Sequence, residues 1–370
     1  MKKNFNYYYL SVFLFFLYIP TILFFFFKDN SSINNENRNL SSKPELSFKN
    51  ILNYPKQYDD YYNDNLPFRN NIINNLRNLH FILFKESIDD RVVIGKNEKN
   101  ETWLFYDSII DHDDLSCIDG RREVDNDLID ELSNKMKEQT KKLKDKGIDL
   151  YYIVGPNKST IYSNYLPKSI VVKDDYFSKV NAILKNKDVN NLYYSIDLLK
   201  DSSKEYETYY RTDTHWNQYG SYIYLKEILK EIYDDDILKY DKIDSKFINS
   251  FGKDLHNFLG VSFSIKDNDI NIKYENDKIE EEKITDDLGN YTIYQNDEYE
   301  KDETVLLIGD SFTEGIVKHI VQIYKNVIWI HTNNMSYSEE VLDKYDISKI
   351  FYVVVERKTP NNLFIDFIEN

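Results

Sequence analysis

One serine of the sequence follows an apolar strand pattern and precedes a helix pattern. The run from Val305 to Phe312 reads VLLIGDSF, so that Ser311 comes directly after a Gly-Asp turn. Ligands of open parallel sheets bind beyond the carboxyl ends of the strands, where this pattern places Ser311. Backbone N–H groups and the positive dipole end at a helix start can stabilise a developing oxyanion. Taken alone, however, the pattern fits better a serine that merely caps the helix.

A second segment contains the base that a serine nucleophile needs, together with an acid that can orient this base. The run from Tyr210 to Asn217 reads YRTDTHWN, with Asp213 and His215 two positions apart. In an extended segment, residues two apart point to the same side, so the carboxylate can reach the imidazole. Asn217 can then cap the helix that follows. The pair is therefore our candidate for the general base and its orienting acid.

The elements that must position these residues follow a regular alternation from residue 124 onward. We predict strands at 148–154, 191–196, 304–308, 327–330 and 350–355. We predict helices at 124–146, 176–184, 218–233, 312–324 and 338–345. This alternation indicates an α/β fold, a three-layer structure whose mostly parallel sheet is covered by helices on both faces. Residues of about 266–303 break the rhythm, and we predict an irregular insertion there, a hairpin or an excursion from the sheet.

The N-terminus predicts a membrane anchor. Lys2 and Lys3 precede a run from Tyr7 to Phe27 without a charged residue. At about 1.5 Å per residue, such a run spans the ~30 Å hydrocarbon core of a bilayer. The alternative is a cleaved signal peptide, but the run ends in four phenylalanines and lacks a small-residue cleavage site. We predict an anchor at 1–27, with the lysines in the cytoplasm and the bulk of the chain outside.

A flexible stalk and one domain are predicted to follow the anchor. Residues 28–47 are rich in Asn and Ser, a composition typical of a disordered linker. We predict the domain over 48–370, with a first helix that begins near Asp64 and has Asn65 as its cap. Five apolar residues follow at helical spacing: Phe68, Ile72, Leu76, Leu79 and Leu83.

Composition excludes several other classes of function. The net charge is -16, with 63 acidic against 47 basic residues, and no basic cluster stands out in the soluble part. This argues against a nucleic-acid partner, because phosphate binding needs a basic face. Cys117 is the single cysteine, so neither an intramolecular disulfide nor a Cys-based zinc site can form. We expect no metal and no cofactor.

The order of several motifs resembles that of a known family. TDTHWN at Thr212–Asn217 and GDSF at Gly309–Phe312 occur in the order seen in SGNH-hydrolase-like proteins of the alginate O-acetyltransferase type. This group includes the related DHHW-type proteins of Gram-positive bacteria. Further matching pieces are Pro67–Arg69, Val93–Lys96, Trp103–Tyr106, Pro156–Tyr162, Gly252–Leu255 and Val355–Arg357. The resemblance covers about residues 50–357, and the shared order is more specific than any one piece.

The resemblance implies a catalytic triad of Ser311, His215 and Asp213. In most SGNH hydrolases the serine comes first in the sequence and the Asp–His pair comes last. Here the order is reversed. The implied fold is therefore a circularly permuted SGNH-hydrolase-like domain.

The second oxyanion donor does not follow from the resemblance, because the separate Gly and Asn motifs of the common hydrolases find no match here. Asn157, Arg211 and Asn217 are our candidates, from strand-end or motif positions. Trp216 is expected to line the substrate site. Lys158 can meet an anionic substrate group, although an ordinary surface lysine is the default expectation.

By the same resemblance, the reaction is O-acetyl transfer to a cell-surface or secreted polysaccharide through an acyl-serine. A multi-spanning membrane-bound O-acyltransferase is the implied supplier of acetyl groups from the cytoplasm. Two alternatives stay open. One is a carbohydrate acetylesterase, in which water accepts the acetyl group, and the other is a non-catalytic scaffold of a polysaccharide export or modification complex.

Overall fold

The chain divides into two units according to which residues contact each other. One unit comprises Met1–Ile88 with Asn257–Phe263, and the other comprises Asp89–His256 with Ser264–Asn370. The computed structural model describes residues 2–26, 40–108, 114–173, 175–275, 278–287, 289–299, 302–332 and 338–359. The sequence predicts a domain that starts at residue 48, whereas in this division the residues up to Ile88 group with the N-terminal helix.

The first unit contains three long helices among its described residues. They are α1, Lys2–Phe26; α2, Tyr54–Asp64; and α3, Arg69–Phe84. By length and composition, Tyr7–Phe26 of α1 can cross a membrane, a property that signal sequences share. The ring of Phe24 packs against Tyr61 and Tyr62 of α2, at centroid distances of 5.8 Å and 4.7 Å. The C-terminal end of the apolar helix therefore contacts α2.

The first predicted helix is present as α3, but it begins later than expected. The sequence predicts its start near Asp64, but α2 ends at this residue and α3 begins at Arg69. Between them, Phe68 has a φ of 62°, a left-handed conformation that no α-helix can contain. The patterns did not predict α2, since it consists mainly of Tyr and Asp and has no aliphatic stripe. Of the predicted stalk, 28–39 lies outside the described residues, while Ser41 donates its N–H to Asp64 (2.8 Å).

The second unit is a mixed α/β structure. Its strands are β1, Val92–Lys96; β2, Thr102–Tyr106; β3, Asp149–Gly155; β4, Leu192–Tyr193; β5, Lys242–Asn249; β6, Lys266–Lys273; β7, Glu280–Asp286; β8, Gly289–Gln295; β9, Thr304–Gly309; β10, Asn326–His331; and β11, Ile347–Val355. Its helices are α4, Asn126–Asp145; α5, Lys158–Ile161; α6, Tyr176–Asn186; α7, Ile196–Ser202; α8, Gln218–Tyr233; α9, Asp254–Leu259, which continues into the first unit; α10, Thr313–Ile320; and α11, Ser338–Lys344.

A central sheet organises the second unit, in the order β4-β3-β11-β9-β10-β8-β7. The first five strands are parallel, and the antiparallel hairpin β7–β8 extends the sheet beyond β10. The strand that leads to Ser311, β9, lies between β11 and β10. Two further antiparallel pairs, β1–β2 and β5–β6, stand apart from this sheet. The predicted α/β fold class with a mostly parallel sheet is confirmed.

Helices cover both faces of the sheet, because successive residues of the buried strands point in opposite directions. In β9, Leu306 and Ile308 belong to a core cluster with apolar residues of α4 and α6. Val305 and Leu307 of the same strand belong to a second cluster, with residues of α8 and α10. The strand β9 is apolar along almost its whole length because both of its faces are buried. The sheet and the helices on its two faces thus form three layers.

Two regions differ from the prediction. The stretch 266–303 does form a hairpin, β7–β8, but the hairpin joins the central sheet instead of leaving it, while β6 pairs with β5. Its outermost strand carries mainly charged residues, which protect a sheet edge from pairing with other chains. The predicted strand at 191–196 is only Leu192–Tyr193, because α7 begins at Ile196.

Candidate active site

Ser311 lies in the turn that follows β9, at the carboxyl edge of the central sheet. Gly309 allows this turn to approach β11 closely. A Cβ atom at Gly309 would lie 1.9 Å from the carbonyl oxygen of Val353, a distance that no side chain tolerates. The glycine of the Gly-Asp-Ser sequence is therefore needed for packing against the neighbouring strand. Two residues after Ser311, at Thr313, α10 begins.

The buried carboxylate of Asp310 holds this turn in place. It accepts the backbone N–H groups of Phe312 and Val355, each at 2.9 Å. The N–H groups of the first two residues of α10 donate to carbonyl oxygens of the preceding turn. In the part of the chain that the structure describes, the N–H of Ser311 is the one in this turn without an acceptor. It is thus available to an oxyanion that forms at the Ser311 side chain.

Two hydrogen bonds join Ser311, His215 and Asp213 in series. The Nε2 atom of His215 lies 2.6 Å from the Oγ of Ser311, and the Nδ1 atom lies 2.6 Å from Oδ1 of Asp213. The His215 side chain is 29% exposed, so a substrate can reach it, whereas Asp213 is 13% exposed. The arrangement allows the imidazole to take the serine proton while the carboxylate fixes the opposite ring nitrogen.

The segment that carries the acid and the base is a tight loop, Tyr210–His215, which we call the 210–215 loop. A backbone bridge between Tyr209 and Trp216 closes it. Asn217 then caps α8, as predicted, by accepting the N–H of Gly220 (2.9 Å). The loop thus has fixed ends.

The ammonium group of Lys158 binds the carbonyl oxygens of this loop. Lys158 is completely buried, and its Nζ donates to the carbonyls of Tyr210 (3.3 Å), Arg211 (3.3 Å) and Asp213 (2.5 Å). Burial lowers the pKa of Lys158 to about 8, although nearby carboxylates oppose this shift. The expectation of a surface lysine is wrong, and an anionic substrate group would have to compete with three backbone carbonyls for the ammonium.

Two carboxylates bind the N–H groups of the same loop. Asp267 accepts the N–H groups of Arg211 (2.8 Å) and Thr212 (2.9 Å), and it also accepts the Thr212 hydroxyl. Asp254 accepts the N–H (2.8 Å) and the hydroxyl of Thr214. The backbone of the loop is therefore bound by one cation and two anions.

Asp254 also places a second carboxylate beside the imidazole. Its Oδ2 lies 3.8 Å from Nδ1 of His215, and its backbone N–H donates to Oδ2 of Asp213 (3.3 Å). The sequence reasoning gave this residue no role, although it lies within the Gly252–Leu255 motif that contributed to the resemblance. The acidic side chain within that motif was the sequence feature that could have indicated its role.

The electrostatics of the site follow from these contacts. Burial alone raises the pKa of Asp213, but its hydrogen bonds with His215 and the imidazole charge outweigh this and hold the pKa below its usual range. Burial alone lowers the pKa of His215, but the hydrogen bond and charge of Asp213, with the charge of Asp254, raise it above the ordinary value. Burial and the charge of Asp213 raise the pKa of Asp254.

Two predicted oxyanion candidates are occupied by structural contacts. The guanidinium of Arg211 forms ion pairs with Glu207 (2.7 Å) and Glu101 (3.0 Å). The side-chain amide of Asn217 donates to the carbonyl of Glu207 (2.5 Å), while its oxygen caps α8 at Gly220. Both side chains are therefore engaged in contacts that stabilise the surroundings of the loop.

Trp216 lies in the core and not on a substrate surface. Its Nε1 donates to the carbonyl of Phe312 (3.1 Å), and the two rings pack at a centroid distance of 4.8 Å. A Cβ at Gly315 of α10 would lie 2.4 Å from the same Nε1. Trp216 therefore connects the loop that carries His215 with the helix that follows Ser311.

Asn157 remains a candidate oxyanion donor. It lies two residues beyond the end of β3, and it is fully buried. Its N–H donates to Glu356 (2.6 Å), and its Oδ1 accepts the N–H of Arg357 (3.2 Å). Its Nδ2 has no hydrogen-bond partner among the described residues. A buried amide donor without a partner is costly, unless a ligand satisfies it.

Asp213, His215 and Asp254 also form the one group of potential metal ligands within the described residues, with one ligand atom each inside 4.8 Å. The 2.6 Å separation of Nδ1 and Oδ1 is that of a hydrogen bond with a proton between the two atoms. A cation would have to displace this proton and separate the pair. The donor set therefore fits a proton-transfer site better than a metal centre.

Comparisons with known proteins agree with the sequence resemblance. The family model of the SGNH hydrolase-like domain of the acetyltransferase AlgX matches residues 92–326. None of the curated protein sequences matches the chain. PatB1 from Bacillus cereus is similar in structure, with a TM-score of 0.54 and 14% identity over 74% of this chain and 99% of that one. The same protein with a sulfonyl adduct gives 0.53 and 15% identity, over 74% and 98% of the chains. A DHHW family protein from Eubacterium siraeum gives 0.53 and 13% identity, over 77% and 98%.

We predict that Lys158→Met destabilises the protein and impairs the site. The methionine fills the same space but leaves three buried carbonyl groups without their donor. We expect the free energy of unfolding to fall by about 2–4 kcal/mol, measured by urea denaturation. Lys168→Met, at an exposed position, is the control and should change little. A Lys158→Met protein as stable as the wild type would contradict the assigned role.

We predict that Asp254→Asn shifts the pH dependence of the site. The asparagine can still bind Thr214, but it removes a negative charge beside His215. The pKa of His215 should then fall, and the acidic limb of the activity profile should move to lower pH by about half to one unit. Asp269→Asn, which removes a charge that binds Tyr210 but lies away from the imidazole, serves as the control. An unmoved acidic limb in Asp254→Asn would show that this carboxylate does not act on His215.

Proposed function

Because this chain belongs to the family of SGNH hydrolase-like domains of the acetyltransferase AlgX type, we propose that it is a serine-dependent O-acetyltransferase. Its acceptor is a hydroxyl group of a cell-surface or secreted polysaccharide. The observation that supports this most directly is the hydrogen-bonded series Ser311–His215–Asp213, with 2.6 Å at each step. The series lies at the carboxyl edge of a parallel sheet, where ligands of such folds bind.

The proposed reaction has two half-reactions. In the first, Nε2 of His215 takes the proton of Ser311 as Oγ attacks the acetyl carbonyl carbon of the donor ester or thioester. The tetrahedral intermediate then collapses, and His215 returns the proton to the leaving oxygen or sulfur. In the second half-reaction, His215 takes the proton of an acceptor hydroxyl that attacks the acetyl-serine. Collapse transfers acetyl to this hydroxyl and restores the proton to Ser311, while Asp213 stabilises the imidazolium in each step.

The backbone N–H of Ser311 and the side-chain amide of Asn157 are the proposed oxyanion donors. Both lack another acceptor among the described residues. The strands that precede them, β9 and β3, are separated by β11 alone, so both donors lie at the same edge of the sheet. The ring of Phe312 also lies close to the end of β3, where a Cβ at Gly155 would approach it to 2.5 Å. Donors fixed in advance lower the energy of the oxyanion without reorganisation.

The proposed location is outside the cytoplasm, with α1 as an uncleaved membrane anchor. Lys2 and Lys3 precede the apolar span, and positive residues favour the cytoplasmic side. An acetyl donor made in the cytoplasm must then cross the membrane. A multi-spanning membrane-bound O-acyltransferase would perform this step and present the acetyl group to the site.

We predict that Ser311→Ala and His215→Ala each abolish acetyl transfer, while Asp213→Asn impairs it. Because the members of a triad act as a unit, each of the first two should lower the rate by about three orders of magnitude or more, and the double variant no further. The assay follows an activated acetyl ester with candidate oligosaccharides, and mass spectrometry detects the acetyl-serine and the acetylated sugar. A sulfonyl fluoride should modify Ser311 and inactivate the protein.

Ser245→Ala, at an exposed position of β5, is the control and should retain full activity. Release of acetate without acetylated sugar would assign an esterase instead, since the exposed part of His215 admits water as well as an acceptor. Wild-type-like transfer by Ser311→Ala would contradict covalent catalysis at this residue. A wild type that neither forms acetyl-serine nor hydrolyses the ester would favour the scaffold function.

We predict that Asn157→Asp lowers kcat with little effect on KM. The aspartate still accepts the N–H of Arg357, but it lacks the amide donor. Loss of one oxyanion donor typically lowers kcat by about a hundredfold or more. Urea denaturation of the variant checks that its fold is retained. An unchanged kcat in a folded variant would remove Asn157 from the oxyanion site.

A further inference from the structure

One helix of the first unit exposes the face that soluble proteins normally bury. Five apolar residues lie on one side of α3 or at its start, and between 47% and 61% of each is exposed: Phe68, Ile72, Leu76, Leu79 and Leu83. We call this set the α3 stripe. Its members are spaced at three and four positions, so they form a continuous row along the helix. Only Phe81 of α3 is buried.

The side of α3 opposite the stripe contacts the rest of its unit. Asn78 exchanges two hydrogen bonds with Ser262, of 2.6 Å and 2.8 Å, and the Phe81 ring packs on Phe263 at 5.4 Å. The guanidinium of Arg77 lies against Gly260. These partners belong to Asn257–Phe263, the later segment of the same unit. The helix therefore presents a largely polar face to protein and an apolar face outward, the reverse of an ordinary surface helix.

The position of α3 in the chain connects it with the apolar helix α1. Near the outer end of α1, Phe24 packs on Tyr61 and Tyr62, and Thr21 shares a hydrogen bond with Tyr62 (3.3 Å). Tyrosines are typical of the boundary between hydrocarbon and water in a bilayer. Arg69, the start of α3, lies seven positions after Tyr62. If α1 spans a bilayer, α3 begins within reach of the surface where α1 emerges.

The charge of this segment differs in sign from that of the whole chain. Between Asn65 and Lys85 there are three basic residues, Arg69, Arg77 and Lys85, and no acidic one. The complete chain has a net charge of -16. An apolar stripe combined with local positive charge is typical of helices that bind anionic lipid surfaces. A purely electrostatic contact with an acidic protein would use the basic residues but not the apolar stripe.

We propose that α3 is an interfacial helix that lies in the plane of the lipid bilayer, with the α3 stripe inserted among the headgroups and upper acyl chains. With 16 residues, the helix is about 24 Å long, too short to cross the hydrocarbon core. Its ligand is an anionic lipid surface. The proposal rests on the proposed membrane anchorage of α1, and it adds a second contact with the same membrane.

The experiment uses the full chain, reconstituted into phosphatidylcholine vesicles with a minority of phosphatidylglycerol. In a Cys117→Ser background, single cysteines carry an environment-sensitive fluorophore at Ile72, Leu76, Leu79 or Leu83. Control sites are Asn71, exposed on α3 but off the stripe, and Val171, an exposed apolar residue of the second unit. A further label at Phe16 reports whether α1 itself is inserted. Brominated lipids quench labels within the bilayer, and iodide quenches labels in water.

We expect brominated lipids to lower the fluorescence at the four stripe positions by about twofold or more, with little change at Asn71 and Val171. Raising the salt concentration or omitting phosphatidylglycerol should weaken this quenching. Quenching at Phe16 without quenching at the stripe would overturn the proposal while the anchor stands. Stripe labels shielded from iodide yet untouched by brominated lipid would also overturn it, in favour of a protein cover. No lipid quenching at Phe16 would instead refute the anchorage itself.

Discussion

The site depends on a loop whose backbone polar groups are bound by three charged side chains, of which Lys158 and Asp267 are buried and Asp254 is partly exposed. Within the 210–215 loop, the carbonyls of three residues face one ammonium, and three N–H groups face two carboxylates. Ionised groups form stronger hydrogen bonds than neutral ones, and their strength increases where water is excluded. The loop cannot relax toward another conformation without leaving Lys158, Asp254 or Asp267 without partners, which is costly for a buried charge. The orientation of the imidazole thus depends on Lys158, Asp254 and Asp267, which bind the backbone of the loop.

This constraint also explains the electrostatic character of the centre. A chain with an excess of acidic residues places one buried lysine between the carboxylates around His215, and the lysine offsets part of their charge. Both carboxylates lie at the Nδ1 side of the imidazole; the charge of Asp213 raises the pKa of Asp254, and the charge of Lys158 opposes this. The basicity of His215 therefore reflects a balance of at least three charged side chains. The proton affinity of His215 thus depends on charged groups beyond the hydrogen-bonded series Ser311–His215–Asp213.

The sequence predicted those features that depend on local pattern. The apolar runs of β3, β9 and β11 identified the parallel sheet. The two-residue spacing predicted that Asp213 and His215 can meet, although the segment is a turn and not the extended one on which this prediction rested. Features that depend on long-range packing escaped prediction. Lys158 appeared to be a surface residue because its type is usually exposed, and only the fold shows that it lies beneath a loop more than fifty positions later. Asp254 entered the prediction only as part of the Gly252–Leu255 motif, and Asp267 only as part of the charged segment 266–303. α2 lacked the aliphatic periodicity by which helices are recognised.

The position of β11 also determines when the turn around Ser311 can form during synthesis. This strand occurs later in the chain than β3 and β9, yet it lies between them, and Val353 and Val355 contact the turn that presents Ser311. A nascent chain that has not yet delivered residues 347–355 has a gap in the middle of its sheet, and the turn lacks its fixed partner. Synthesis proceeds from the N-terminus, so the turn around Ser311 gains its neighbouring strand only after residues 347–355 have been added. The proposed nucleophile therefore reaches its final geometry later than its place in β9 alone would require, because it depends on a strand that is made after β9.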